Sequence, residues 1–313
     1  MQIGPAASLY WAGMGGLRIN EHVTVPEEDL IPLGIAMAAA KHHPRQVQYR
    51  APAIYRSIAH GLAHPDCVVA GFGALALYGL PVLADACDTV LINPKAARKT
   101  PGTATEPAFV RGDARPENTW RVFLGDRCIS AARPGIAAVQ ALKSIRRKEA
   151  AWQVETVGDH EVFVRAVQLV DAVRRFLGIA PASIVAAGHQ LVDDRWLARV
   201  VAASSAKADS PKETEMRLIL RRVAKTHGLT LADQVPCRLD GRIITTLDFA
   251  LLEPRYGYMF DGVHHWGKAQ RVKDARINIE LALIGVTPLR FSTGLLGTLP
   301  ATTEALLRRD GFL

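Results

Sequence analysis

Residues 245–266 read TTLDFALLEPRYGYMFDGVHHW, and the reading of this stretch decides the fold of the C-terminal third of the chain. Two apolar runs of strand character carry one acid each, Asp248 and Asp261, and the second leads into His264, His265 and Trp266. Between them Glu253-Pro254-Arg255-Tyr256 reads as a turn, because proline presets the first bend. A turn centred on Pro254 and Arg255 gives a hairpin in which Asp248 faces Asp261. Side chains facing each other across an antiparallel pair lie about 5 Å apart, where like charges repel. An apolar sheet gains nothing from that pairing unless a cation lies between the carboxylates. A divalent metal on oxygen ligands supplies that charge. The expectation rests on register, since a slip of one residue turns one aspartate to the other face.

The neighbouring residues each have a structural and a functional reading. Ser210-Pro211-Lys212-Glu213 is a capping box, with serine at the N-cap, proline at the first helical position and glutamate at the third. That role alone accounts for Glu213. Asp248 is harder to account for, because it interrupts a run that reads as a strand covered on both faces, and a buried aspartate needs partners. Asp261-Gly262 also suits a plain strand end with a tight turn. His264 and His265 are adjacent, so in an extended segment at most one faces the carboxylates. A helix is expected over residues 268–284, with Lys268 and Arg271 on one face, Arg276 nearby, and Val272, Ile279 and Leu283 as its apolar stripe. Its cations suit phosphate contacts, although such faces are more often only solvated.

Taken in order, the capping box at Ser210, Asp248-Phe249, Phe260-Asp261-Gly262, His265, and Asp274 with Arg276 resemble the very-short-patch-repair-type endonucleases of the PD-(D/E)xK superfamily. The resemblance covers roughly residues 207–313 and extends to the C-terminal domain of many uncharacterised actinobacterial proteins. It implies a restriction-endonuclease-like mixed sheet flanked by helices. It further implies a magnesium-dependent deoxyribonuclease with Glu213, Asp248, Asp261 and His265 as catalytic residues. Asp248 and Asp261 would hold the metal, His265 would assist proton transfer, and Lys268, Arg271 and Arg276 would meet DNA. One departure bears on activity. Relatives read Glu-Tyr-Asp-Gly where this chain has Met259-Phe260-Asp261-Gly262, and a thioether does not coordinate magnesium as a carboxylate does. Met259→Glu is therefore expected to strengthen metal binding.

The chain has 313 residues, which suggests two domains. Its 49% hydrophobic and 22% charged content is that of a globular protein. The net charge of +8 favours a polyanionic partner, but only weakly: 16 Lys+Arg against 12 Asp+Glu from Lys207 onward leave +4 there and +4 before it. Four separated cysteines form no CxxC pair, which argues against a zinc ribbon or a disulfide framework and for a reducing cytoplasm. No secretory signal is read at the N-terminus. Residues 67–84 carry no charge, yet three glycines and Pro81 make them a buried helix and its turn rather than a membrane span.

Residues 1–206 read as mainly helical with a small β element. Helices are expected over residues 26–41, 53–63, 68–78, 134–148, 161–178, 181–188 and 193–203, with strands over 88–92, 109–111 and 120–124. The small, polar run 204–209, SSAKAD, marks the boundary. The segment 70–93, AGFGALALYGLPVLADACDTVLIN, loosely resembles abortive-infection-type antitoxins, in which the N-terminal region is a DNA-binding module. The rival to the nuclease is thus a non-catalytic DNA-binding regulator or antitoxin-like protein with a degenerate nuclease fold. A protein-interaction module is a third reading. DNA is the expected partner in the first two, with no membrane partner and an oligomeric state left open.

Overall fold

The computed structural model describes residues 16–112, 115–155, 158–262 and 268–313, of which 268–271 are described in their backbone alone. The chain is mixed α/β with three sheets among the described residues. It divides into two compact units, one of residues 1–153 and 165–204, the other of residues 154–164 and 205–313. No helix of the described residues is long and apolar enough to cross a membrane.

Unit 1 begins with an antiparallel pair, β1 (Gly16–Arg18) and β2 (Thr24–Pro26). The helix expected over 26–41 is instead a 3-10 turn, Glu27–Asp29, followed by α1 (Leu33–Ala40). Pro32 separates the two, because proline cannot donate inside a helix. Then come α2 (Ala53–Ala63), β3 (Val68–Ala70) and α3 (Gly71–Leu77). Here the expected single helix over 68–78 opens as a strand. Val68 and Val69 are β-branched, and the chain turns from strand into helix at Gly71, whose φ of +53° only glycine takes readily. The strands β4 (Val90–Asn93), β5 (Ala108–Arg111), β6 (Thr119–Leu124) and β7 (Arg127–Ala132) complete a five-stranded sheet of order β5-β4-β3-β7-β6. It is larger than the small β element the sequence suggests. Helices α4 (Pro134–Arg146), α5 (Glu161–Leu177, of which only residues from Arg165 on belong to this unit), α6 (Pro181–Gly188) and α7 (Asp194–Ala203) follow.

Two polar networks tie the loop between α3 and β4 to α2 and to the segment that precedes it. Arg56 of α2 is 1% exposed, and its guanidinium donates to the carbonyls of Ala51, Cys87 and Asp85 at 3.1, 2.9 and 2.9 Å while lying 3.8 Å from the Tyr49 ring. A buried charge persists only when its donors are met, and here carbonyl oxygens meet them. Asp88 is the second hub. Its Oδ1 accepts from Tyr49 Oη at 2.6 Å and pairs with His43 Nε2 at 2.9 Å, while Oδ2 takes Arg45. Burial alone would raise the Asp88 pKa, but these bonds and the Arg45 charge outweigh it and hold it down to about 2.

Unit 2 starts its main run with α8 (Pro211–His227), capped by Ser210 and closed by Gly228 at φ +66°. The strands β8 (Leu231–Leu239), β9 (Arg242–Leu251) and β10 (Tyr256–Asp261) run antiparallel in succession. Helix α9 (Lys268–Leu283) then crosses to β11 (Thr287–Ser292), which pairs parallel with β10, and α10 (Leu299–Arg309) ends the unit. The sheet order is β11-β10-β9-β8. Pro236 sits on the edge strand, where a missing N–H is tolerated. Alternate residues of β10 face opposite sides: Tyr258 bonds Thr303 of α10 at 3.1 Å, while Met259 joins Leu281 of α9 in an apolar cluster.

Two details differ from the sequence reading. The apolar stripe expected on α9 points outward, with Val272, Ile279 and Leu283 at 65%, 63% and 71% exposure. The helix instead buries Leu281, with Ile277 packed against the same cluster. Both stripes have helical spacing, and the sequence does not say which one meets the sheet. Residues 154–164 also belong with unit 2. Glu155 accepts the N–H groups of Gly294 and Leu296 at 3.0 and 3.2 Å and pairs with Lys212 at 3.1 Å, while Asp159 pairs with Arg222 at 2.8 Å.

Candidate active site

Strand register places the first acid. Tyr256 pairs with Leu251, Gly257 with Ala250 and Tyr258 with Phe249. Asp248 therefore falls in register with Met259, and the expected direct pairing with Asp261 is corrected by two residues. The cause is the turn. Arg255 adopts φ +57° and donates to Ile284 O at 2.6 Å, so β10 begins at Tyr256 and the turn centres on Glu253 and Pro254. A two-residue shift preserves the face of every side chain, and Asp261 becomes the diagonal neighbour of Asp248.

The alternation is then broken at Asp248 itself. Leu247 and Ala250 lie in one apolar cluster although they are three residues apart on one strand. A Cβ on Gly257, the partner of Ala250, would meet Leu247 at 2.7 Å, so Leu247 does lie on that face. Opposite, Gln234 takes φ +54° between the pairs Asp233↔Phe249 and Val235↔Leu247. The register steps evenly past Gln234, so the distortion there is one of backbone angle, and the register shift of this pair lies between Cys237 and Arg238. Here the Asp248 carboxylate takes the place of a ladder partner: Oδ2 accepts the Phe260 N–H at 2.7 Å where the β9–β10 pairing ends.

The N-terminus of α8 supplies Glu213. Ser210 Oγ accepts the Glu213 N–H at 3.2 Å, and the Glu213 carboxylate accepts the Ser210 hydroxyl and the Asp209 N–H at 2.9 Å each. The capping role is real, and it fixes the carboxylate in place. Burial and the nearby Asp248 charge push its pKa up to about 7, against the lowering effect of those two hydrogen bonds. Burial also raises the Asp248 pKa, helped by the charges of Asp209 and Asp261 and opposed by the Phe260 N–H and Arg290. Glu213, Asp248, Asp261 and Asp209 thus share one field.

Asp261 has a cationic partner that the sequence reading missed. Arg290 of β11 donates to Asp261 Oδ1 at 2.8 Å, to Asn278 at 3.2 Å and to Asp274 at 3.4 Å. It is the one charge in the apolar strand TPLRFS, the same kind of signal that singled out Asp248. Arg276 lies elsewhere, pairing with Glu280 at 3.0 Å, and Glu280 also holds Arg242 at 2.8 Å. His265 and the side chains of Lys268 and Arg271 lie outside the described residues.

The donor set can be tested against a metal. Among the described residues no three His, Cys, Asp or Glu side chains converge as a metal cage. Magnesium does not require one, since it keeps several waters and is bound through one or two carboxylates together with substrate phosphate. Among the described residues each aspartate has one oxygen engaged, Oδ2 of Asp248 and Oδ1 of Asp261, and one oxygen on each is left for a cation. Hard oxygen donors in a field rich in carboxylate fit magnesium or manganese. Met259 adds nothing to that set, being buried in the apolar cluster with Leu247, Ala250 and Leu281. Comparison with protein-family models, curated proteins and solved structures finds no match to the chain.

Proposed function

We propose that unit 2 is a magnesium-dependent DNA endonuclease of the restriction-endonuclease-like type, working in the cytoplasm. The observation that carries the reading is the placement of Asp248. The Asp248 carboxylate, partly buried and bonded to the Phe260 N–H, lies in a field shared with Glu213, Asp209 and Asp261, and among the described residues Arg290 is the cation that opposes them. Repelling carboxylates held this firmly are a standing cost that a divalent cation removes. Asp248 and Asp261 would hold the metal, which supplies charge for the phosphate and lowers the pKa of bound water. Glu213, with a pKa of about 7, is suited to exchange a proton near neutral pH. Arg290 would fix Asp261 in orientation. The proton-transfer role expected of His265 and the phosphate contacts of Lys268 and Arg271 rest on the sequence resemblance.

One observation favours the rival, a DNA-binding regulator or antitoxin-like protein with a degenerate nuclease fold. The position where relatives carry glutamate is filled by the buried Met259, and Asp261 is already ion-paired. A plasmid-nicking assay with magnesium or manganese separates the two. The enzyme reading expects nicking by the natural chain and a loss of about 100-fold or more in Asp248→Ala, the range seen when a charge-stabilising group is removed. DNA binding without nicking in either protein supports the rival.

A further inference from the structure

Unit 1 holds a cavity of about 640 Å³. Two periodicities build it. Val90 and Ile92 alternate on β4 and pair with Ala108 and Val110 of β5, so one face of this strand pair forms an apolar floor. Gln140, Lys143, Ser144 and Arg147 succeed each other at helical spacing through the end of α4, so one helix face forms a polar wall. The volume is that of small-molecule sites, and the lining pairs apolar surface with a few placed polar groups in the way such sites do.

The charge around it is one-sided. Among the described residues six cations line the cavity, Arg45, Lys99, Arg111, Lys143, Arg147 and Lys148, against two acids, Asp88 and Glu149. Arg45 is neutralised by Asp88 and Lys99 by Glu149. Among the described residues the other four, Arg111, Lys143, Arg147 and Lys148, have no acidic partner. Cations at a helix C-terminus do suit the helix dipole. Arg146 shows that use alone, turning away to lie 5.3 Å from the Trp196 ring. The dipole does not account for Arg111, which arrives from β5. Gln140 accepts the Gly71 N–H at 2.9 Å through Oε1, which leaves its amide NH2 as a donor on the wall.

We propose that this cavity binds a nucleoside monophosphate. Its phosphate would be held by Lys143, Arg147 and Arg111, and its base would lie on the floor of Val90, Ile92 and Val110. An inorganic anion would leave the apolar floor unused. A nucleic-acid backbone calls for a cationic track along successive phosphates, whereas these cations gather around one cavity.

The test is isothermal titration of the full chain with the four ribonucleoside 5′-monophosphates, the matching nucleosides, inorganic phosphate and a short DNA duplex. At least one monophosphate is expected to bind about tenfold or more tightly than both its nucleoside and inorganic phosphate. Arg147→Glu and Lys143→Glu should each weaken it about tenfold or more, and the milder Arg111→Ala should weaken it measurably. Lys225→Glu and Asp248→Asn, both in unit 2, should leave it unchanged, so failure here is separate from failure of the nuclease reading. Absence of heat with every monophosphate overturns the proposal. So does binding that survives both charge reversals, or a duplex that binds more tightly than any monophosphate and displaces it.

Discussion

Asp88 in unit 1 and Asp248 in unit 2 are both partly buried aspartates, and their environments drive them in opposite directions. Asp88 has both oxygens occupied, by Tyr49 and His43 on one and Arg45 on the other, and its pKa is held at about 2. Asp248 receives one backbone N–H and sits among carboxylates, so its pKa rises. Burial raises both. What differs is how far partners offset it, and this separates a carboxylate that finishes a structure from one still in need of a counter-charge. The first kind stabilises its surroundings; the second is where a ligand has something to gain.

The contrast can be broken from the Asp88 side first. Asp88→Ala leaves His43, Tyr49 and Arg45 without their common partner, and stability should fall by about 3–5 kcal/mol, as for other broken buried pairs. Urea unfolding of the full chain measures this, with each unit followed by its own probe because two units need not unfold together. A loss under about 1 kcal/mol would place Asp88 with ordinary surface ion pairs and remove the contrast.

Met259→Glu sharpens the unit 2 side. The sequence pattern expects this change to strengthen metal binding, whereas the structure sets Met259 in the apolar cluster of Leu247, Ala250 and Leu281. The new carboxylate should therefore cost on the order of 2–3 kcal/mol of stability. A variant as stable as the natural chain that also binds metal more tightly would show that the glutamate swings out of the cluster, and the sequence pattern would be the better guide.

The smallest effect is one of pH. Glu213 binds its proton more tightly folded than unfolded, with a pKa raised from 4.5 to about 7. The folded state therefore holds the extra proton between those values, and stability falls as pH rises through that window. Relative to Glu213→Gln, the natural chain should lose on the order of 2 kcal/mol between pH 5 and pH 8. Parallel pH profiles for the two proteins would mean that the Glu213 carboxyl titrates normally.

Much of this was legible where local chemistry decides the outcome. The capping box at Ser210 follows from residue types alone, Pro254 marks a turn within one residue of its centre, and α2 and α6 have the bounds their patterns suggest. What stayed hidden depends on long-range pairing. Three residues, Val68–Ala70, become a strand because β4 and β7 lie on either side, and no periodicity exists in so short a run. The register at Asp248 turned on the backbone of Arg255, which is not a residue type that announces a left-handed φ. Arg290 was readable by the rule applied to Asp248, as a lone charge in an apolar strand. The contribution of Asp209 was not, since it arises from how the chain enters α8.

Calorimetric titration of manganese into the full chain at pH 8 tests most directly the claim that Asp248 and its neighbours await a cation. The account predicts binding by the natural protein, with little proton release at pH 8, where Glu213 with its pKa of about 7 is already mostly ionised. Binding should weaken toward pH 6 and be lost in Asp248→Asn, with Asp88→Asn as the control that retains it. Absence of binding at pH 8, or binding that is the same in Asp248→Asn, would contradict the account.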